Sequence, residues 1–384
     1  MRLIRTSLTE KDIKAKGINQ LVNELFISIP SGLGSQGRIK LTKSELDEIL
    51  VEGIKWSINK GYGLDQDAEV CEENGCIKNA DYNKVSDTSK RRGMVQLGSL
   101  GSGNHFLEVQ KVDEIYNRNA AKTMGITEKG QITVLIHCGS RGFGHQVCSD
   151  YLRVSEVALR RYNIKLQDRE LACIPYNSQE GDDYIKAMNC ALNFAWSNRQ
   201  MIMHWTRKAF ERVFTMNEQQ LDMKLVYDVA HNIAKVERHK VDSEGMRDLV
   251  IHRKGATRAF PAGMQQIPSK YRSMGQPVII PGSMGTASWL LLGGQDSLDL
   301  SFGSAAHGAG RIMSRSAAKR THTLEKVKKL LESRGVYVKA LTREGVVEET
   351  PDAYKDVDIV ADISHNLGIA TKVARLTPLG VIKG

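Results

Sequence analysis

Five short segments, scattered between residues 98 and 311, each set a reactive side chain among glycine, serine or asparagine. They are Gly98-Ser-Leu-Gly-Ser-Gly-Asn-His-Phe-Leu-Glu108, His137-Cys-Gly-Ser-Arg-Gly142, Asp228-Val-Ala-His-Asn232, Pro281-Gly-Ser-Met-Gly-Thr-Ala-Ser288 and His307-Gly-Ala-Gly-Arg311. Glycine lets backbone approach a ligand closely, and binding residues collect on loops held by a rigid scaffold. The 34 glycines therefore point to a loop-built site.

The order of elements narrows the scaffold. Residues 10 to 25 have helical character, and Thr42-x-x-Glu45 forms a capping box for a second helix. That helix carries Leu46, Ile49, Leu50, Ile54 and Ile58 at helical spacing and stops near Gly61. Residues 62 to 92 are polar and irregular, an insert-like stretch. Ile132 to His137 is a buried strand running into a glycine loop. Helices follow at about 146 to 163 and about 182 to 214. From Leu225 short strands alternate with loops (Leu225 to Val229, Val278 to Pro281, Val336 to Leu341), and a last helix lies near 355 to 374. Regular βαβ alternation is missing, so an α+β fold is expected rather than a doubly wound sheet.

Composition excludes several classes. No apolar run approaches the ~18 residues of a membrane helix, and the first residues lack the apolar core of a signal peptide. The six cysteines form no dense framework, which fits a reducing cytoplasmic setting. Cys71 and Cys76 make a single C-x4-C with no second pair nearby, too little for a zinc ribbon. With 54 Lys+Arg against 44 Asp+Glu, the formal charge of +10 permits a polyanionic partner without requiring one.

A lone histidine at a strand end is more often a satisfied structural group than a ligand. Four of them, each at a strand end or glycine loop, reverse that expectation. His105, His137 and His231 suit rigid imidazole ligands for a transition metal. His307 differs: Gly-Ala-Gly follows it, a backbone able to press against a phosphate, and Arg311 lies four residues on. That setting suits a histidine that attacks phosphorus while a cation neutralises developing charge. There is no G-x4-G-K-[ST] loop, and Gly98-x-x-Gly101-x-Gly103 matches a dinucleotide fingerprint poorly.

Taken in this order, the five segments and the terminal Val381-Ile-Lys-Gly384 resemble the RtcB family of GTP- and manganese-dependent RNA ligases, along the whole chain from Met1 to Gly384. The resemblance implies one catalytic domain over 1–384, an RtcB-like fold of mixed and antiparallel sheets flanked by helices around a metal and nucleotide cleft. It implies that His307 attacks the α-phosphate of GTP to give a guanylylated histidine, and that His105, His137 and His231 hold two Mn²⁺ ions. Asn104, His105, Phe106, Leu107, Glu108, His231, Asn232, Pro281, Gly282, Ser283, Met284, Ser288, His307, Gly308, Ala309 and Gly310 would surround the nucleotide. Glu108 and Lys383 would bond the guanine edge, Tyr354 would stack on its face, and Arg141 and Arg311 would contact phosphates. The implied reaction joins RNA 3′-phosphate or 2′,3′-cyclic-phosphate ends to 5′-hydroxyl ends. The implied partners are GTP, tRNA exon halves and an archease activator, with no membrane.

Family members carry roughly a hundred further residues before the strand that begins here at Met1. Their Asp-x-Gly-Cys-Gly segment, which supplies two manganese ligands, has no counterpart in this sequence. A chain truncated in this way is expected to bind Mn²⁺ poorly, to guanylylate weakly and to leave apolar surface uncovered. Two other readings stand beside the ligase: a two-metal phosphoesterase, and an inactive RNA-binding remnant. His365, His145 and His204 are expected to be structural or peripheral. Arg253, Lys254 and Arg258 form a basic run that could touch RNA, and Cys138 should point away from His137 along the strand.

Overall fold

The computed structural model describes residues 1–384, the side chains of Arg169 and Ser243 excepted. Twelve strands are present: β1 (Arg2–Thr9), β2 (Phe106–Ile115), β3 (Gln131–His137), β4 (Lys224–Asp228), β5 (Asn232–Val241), β6 (Gly245–Lys254), β7 (Ala256–Arg258), β8 (Pro277–Ile280), β9 (Ser288–Gly293), β10 (Ser304–Ala306), β11 (Tyr337–Ala340) and β12 (Ala370–Lys383). Eight of them form one sheet in the order β4-β1-β3-β2-β12-β9-β8, with β11 joined in parallel to β12 and every other pairing antiparallel. With its many helices this is an α+β fold. β5 and β6 make a separate hairpin, and β7 pairs with β10.

Register decides which residues meet. Phe106 lies opposite His137 on one side and Lys383 on the other, while Arg2 lies opposite both Ile136 and Asp228. One end of the sheet therefore gathers the ends of five strands, β1, β2, β3, β4 and β12. The faces are covered by apolar side chains at helical spacing. Leu21, Val22 and Leu25 of the helix Ile18–Ser28 join Ile202, Met203 and Phe210 of the helix Gln179–Phe214 in one core with the sheet residues Val109, Val134 and Leu135. A second core joins Leu46, Ile49, Phe143, Phe194 and Met201, and a third joins Val278, Trp289, Leu291 and Ala361.

The capping box is present: Thr42 Oγ1 accepts from the Glu45 amide and the Glu45 carboxylate accepts from the Thr42 amide. The helix it opens ends at Gly53, where φ is +58°, and a second helix, Ile54–Asn59, continues the apolar row. The helix expected to reach residue 374 stops at Asn366. Gly368, at φ +68°, turns the chain, and the alternating segment that follows becomes β12.

Residues 62–92 are more deeply built in than a polar, irregular stretch would be. They hold the helix Asp65–Glu69 and the start of the helix Asp87–Gln96, and Asp67, Cys71 and Glu72 are all buried. Arg207 binds Asp67 through both terminal nitrogens at 2.9 Å, and Lys235 meets Glu72 at 2.9 Å. Burial of these carboxylates follows from cations that arrive from elsewhere in the chain.

The helix Gln179–Phe214, about 54 Å long, is not simply apolar. Asn193, Asn198, Arg199, Gln200 and Arg207 are buried along it. The basic run also resolves differently from a solvated face. Arg253 is buried in a forked pair with Glu237 (2.6 and 2.7 Å) and Arg258 is buried against Glu73 (2.9 Å), which leaves Lys254 exposed. Among the described residues no helix is long and apolar enough to cross a membrane.

Candidate metal and nucleotide site

At the gathered end of the sheet, β3 delivers His137, the turn between β4 and β5 delivers His231, and the loop after β10 delivers His307. One ring nitrogen from each lies within 4.8 Å of the others. His137 Nε2 and His231 Nε2 are 3.4 Å apart, and the His231 and His307 ring centroids are 4.1 Å apart. His105, on the loop before β2, stands beside this trio with its ring 6.2 Å from that of His137. His137 and His231, two of the three histidines expected to be ligands, lie in the closest trio with His307, and His105 stands just outside it.

All four imidazoles are held neutral. Burial lowers His105 to about 3 and His307 to about 4, and carries His137 and His231 well below the ordinary value, with neighbouring charge adding to the effect. Three ring nitrogens, His105 Nδ1, His137 Nδ1 and His307 Nε2, are buried without a hydrogen-bond partner. Buried polar atoms are normally satisfied, so neutral imidazoles that leave ring nitrogens unpartnered beside a close His137–His231–His307 trio fit a divalent transition ion. The trio itself supplies no anionic donor. Asp228 is taken up by Arg2 and Arg199, and Cys138 directs its thiol at the Leu100 carbonyl, 3.0 Å away and apart from the imidazoles.

A cleft of about 260 Å³ opens from His307 and His137. Asn104, Phe106, Pro281, Gly282, Ser283, Met284, Gly308, Ala309, Gly310, Arg311, Tyr354 and Lys383 line it. Glu108 is buried on the same strand face as Phe106, where it accepts a hydrogen bond from Gln110 at 2.7 Å, and Gln110 also donates to Ser288 at 3.0 Å. Burial pushes the Glu108 carboxyl up to about 8. Lys383 donates to the Gly103 carbonyl at 2.7 Å and is lowered to about 8, again by burial.

Other candidates are placed differently. Leu107 points to the opposite face of β2 and is wholly buried in the main core, away from the cleft. Ser288 binds within the protein, to Gln110 and to the Gly282 amide. His231 and Asn232 line a second cleft of about 370 Å³, shared with Cys138, Tyr184, Met188 and Lys254. Arg311 spends its donors internally, on the Met313 and Glu348 carbonyls and the Tyr354 hydroxyl, and its guanidinium carbon sits over the Tyr354 ring, 4.9 Å from the centroid. It positions Tyr354. Arg141, at φ +56°, donates to Ser99, Gly32 and Ser35 and has no carboxylate partner, so its positive charge remains uncompensated beside His105. Arg315 and Glu349, which line the cleft and pair at 3.1 Å, were missed because neither stands in a glycine-rich segment.

The remaining histidines lie apart. His145 and His365 are exposed, and His204 packs between Tyr62 and Trp205. Cys71 and Cys76 are free thiols.

A profile of the family described as tRNA-splicing ligase RtcB matches residues 1–384. The chain belongs to the RtcB family. Proteins named tRNA-splicing ligase RtcB from Methanococcus maripaludis and Thermococcus kodakarensis are 52% and 53% identical to it over 384 residues, covering all of this chain and 79% of each relative. The one from Methanocaldococcus jannaschii is 52% identical over the same residues, which span 39% of its length. The histidines, glycine loops and terminal lysine of the site all fall within the region that matches the RtcB family.

Proposed function

We propose that this chain carries the catalytic centre of an RNA ligase that joins 3′-phosphate or 2′,3′-cyclic-phosphate ends to 5′-hydroxyl ends through a GMP-histidine intermediate. The observation that carries this reading is the position of His307, which stands at once in the imidazole cluster and on the wall of the cleft that ends at Lys383.

His307 is neutral, and its Nε2 has no internal partner. It is therefore free to attack the α-phosphate of GTP: a nitrogen–phosphorus bond forms, the α–β bridging bond breaks, pyrophosphate departs and the ring proton is lost. Gly308 and Gly310 keep the backbone beside it open to a phosphate. Glu108 and Lys383 fit the two edges of guanine, the carboxylate accepting from N1–H and the amino group while the ammonium donates to O6. Tyr354, held by Arg311 and by Glu349, which Arg315 pairs, offers its ring face. Manganese at His137, His231 and His105 would supply Lewis-acid charge at the phosphates. An RNA 3′-phosphate accepts GMP from His307, and a 5′-hydroxyl then displaces the GMP.

One cleft is lined by His137 and His307 and another by His231, which supports separate approaches for nucleotide and RNA. The uncompensated cation of Arg141 supports phosphate contact, with tRNA exon halves as the substrate class and an archease-type protein as the partner to test. The experiment is an assay on paired RNA strands bearing 3′-phosphate and 5′-hydroxyl ends. GTP- and Mn²⁺-dependent sealing is expected. Phosphate release without sealing indicates a phosphoesterase, and RNA binding with steep salt dependence and no reaction indicates a binding remnant.

A further inference from the structure

Three of the four segments that deliver a histidine to the site, those of His105, His137 and His231, are also tied to one point on the long helix Gln179–Phe214. Asn198 is fully buried there and uses all of its hydrogen-bonding capacity. Its side-chain oxygen accepts from the amides of Gly98 (2.7 Å) and Ser99 (3.2 Å). Its nitrogen donates to the carbonyls of Ser99 (3.2 Å) and Gly139 (3.0 Å). The next residue, Arg199, donates to both carboxylate oxygens of Asp228 (2.6 to 3.0 Å) and to the Cys138 carbonyl at 3.1 Å.

The partners fall in three of the five reactive segments. Gly98 and Ser99 begin the loop that ends in His105. Cys138 and Gly139 follow His137 directly. Asp228 stands three residues before His231. Gly98 is held at φ +77°, and a Cβ there would come 3.1 Å from the Met201 side chain, so the loop lies tightly against the helix. Loops that long and glycine-rich do not fix their own geometry. Two adjacent buried polar side chains do it for them.

We infer that Asn198 and Arg199 form a positioning bracket that sets the spacing of His105, His137 and His231 relative to one another. Neither residue touches the reacting atoms. Asn198 acts through the backbone before His105 and after His137, and Arg199 through the Cys138 carbonyl and the Asp228 carboxylate, much as outer partners orient metal ligands. The inference rests on the reading of these histidines as one reactive centre.

A control is built into the same helix. Asn193 is as deeply buried and as fully bonded, to Leu50, Val51 and Ile77, yet touches no reactive segment. Asn198→Ala and Asn193→Ala should lower the melting temperature to a similar degree. In the metal-free chain labelled with ¹⁵N-histidine, only Asn198→Ala should displace the imidazole resonances of His105 and His137. Only Asn198→Ala should weaken Co²⁺ binding, followed by ligand-field absorption, by about 10-fold or more. Should Asn198→Ala fail to fold, Asn198→Asp keeps the volume and the acceptor while removing both donated bonds, and the same displacement is expected. Imidazole resonances unmoved by the Asn198 variants, or moved equally by Asn193→Ala, overturn the bracket. If the unaltered chain binds no Co²⁺, the metal reading fails on its own and the metal-free spectra still decide the bracket.

Discussion

The Nε2 atoms of His137 and His231 face each other at 3.4 Å, both on rings that burial keeps neutral. At that distance one nitrogen carries a proton toward the other, or a cation draws both lone pairs. The first choice lets one ring satisfy the other but leaves His137 Nδ1, His105 Nδ1 and His307 Nε2 unpartnered. A divalent ion held between these two Nε2 atoms would also lie within reach of a ring nitrogen of His307, the third member of the trio. His137→Ala should accordingly lower Co²⁺ or Mn²⁺ affinity by at least about 10-fold, measured by titration of the metal-free chain. Unchanged affinity would place the metal elsewhere.

Acid should unfold the chain early. The unfolded histidines take up protons near 6.5, whereas the folded imidazoles resist until about 3 for His105 and about 4 for His307. The unfolded state therefore binds more protons in between, and stability present above pH 6.5 is lost as pH falls toward the folded values. At pH 5 the loss is about 2 kcal/mol per imidazole. Urea unfolding at pH 7 and pH 5 measures it, and His105→Gln should reduce the difference. A pH-independent midpoint over this interval would contradict neutral burial.

Guanine recognition should depend on pH through both of its charged groups. In the empty cleft the Glu108 carboxyl holds its proton up to about 8, so guanine accepted by the carboxylate must expel that proton. GMP affinity is expected to rise with pH toward 8, by at most about tenfold per unit. It should fall above 8 as Lys383, itself lowered to about 8, loses the charge that binds O6. Calorimetry from pH 6 to 9 reads both limbs. Glu108→Gln should flatten the acidic one, and a flat profile in the unaltered chain would remove Glu108 from guanine recognition.

The anchoring of residues 62–92 has its own test. Arg207→Met leaves Asp67, essentially inaccessible to solvent, with only Gln200 and the Leu64 amide as partners. Stranding a buried carboxylate costs about 3–5 kcal/mol. The measurement is the urea midpoint of the variant, alongside limited proteolysis of residues 62–92. A cost below about 1 kcal/mol would show that the apolar contacts of Cys71 and Ile54 hold the segment without the ion pair.

What was legible in the sequence was local. Thr42 and Glu45 announce a helix start because both halves of the capping box lie three residues apart. The strand ending at His137 is readable as an apolar run that meets a glycine loop. That His105, His137, His231 and His307 belong to one site followed from their shared setting and from family likeness.

What depends on register or on remote partners was not legible. Nothing local says that Lys383 will lie opposite Phe106, or that Asp67 will meet Arg207 across the fold. Arg253 and Arg258 have the composition of a solvated run and become buried because Glu237 and Glu73 arrive from other elements. The periodicity that carried the last helix too far failed at Gly368, where one left-handed residue converts helix into strand. Asn198 carried no signal at all, since an asparagine inside a helix is ordinarily a mild defect.

The central claim is that His307 is the nucleophile of this site. The chain incubated with Mn²⁺ and GTP labelled at the α-phosphate should retain label in an acid-labile, alkali-stable phosphoramidate bond at His307. Three neutral imidazoles leave a bound divalent ion's charge uncompensated, so the yield should fall below one label per chain, and His307→Ala should carry none. Label that survives in His307→Ala, or its complete absence from the unaltered chain, would contradict the account.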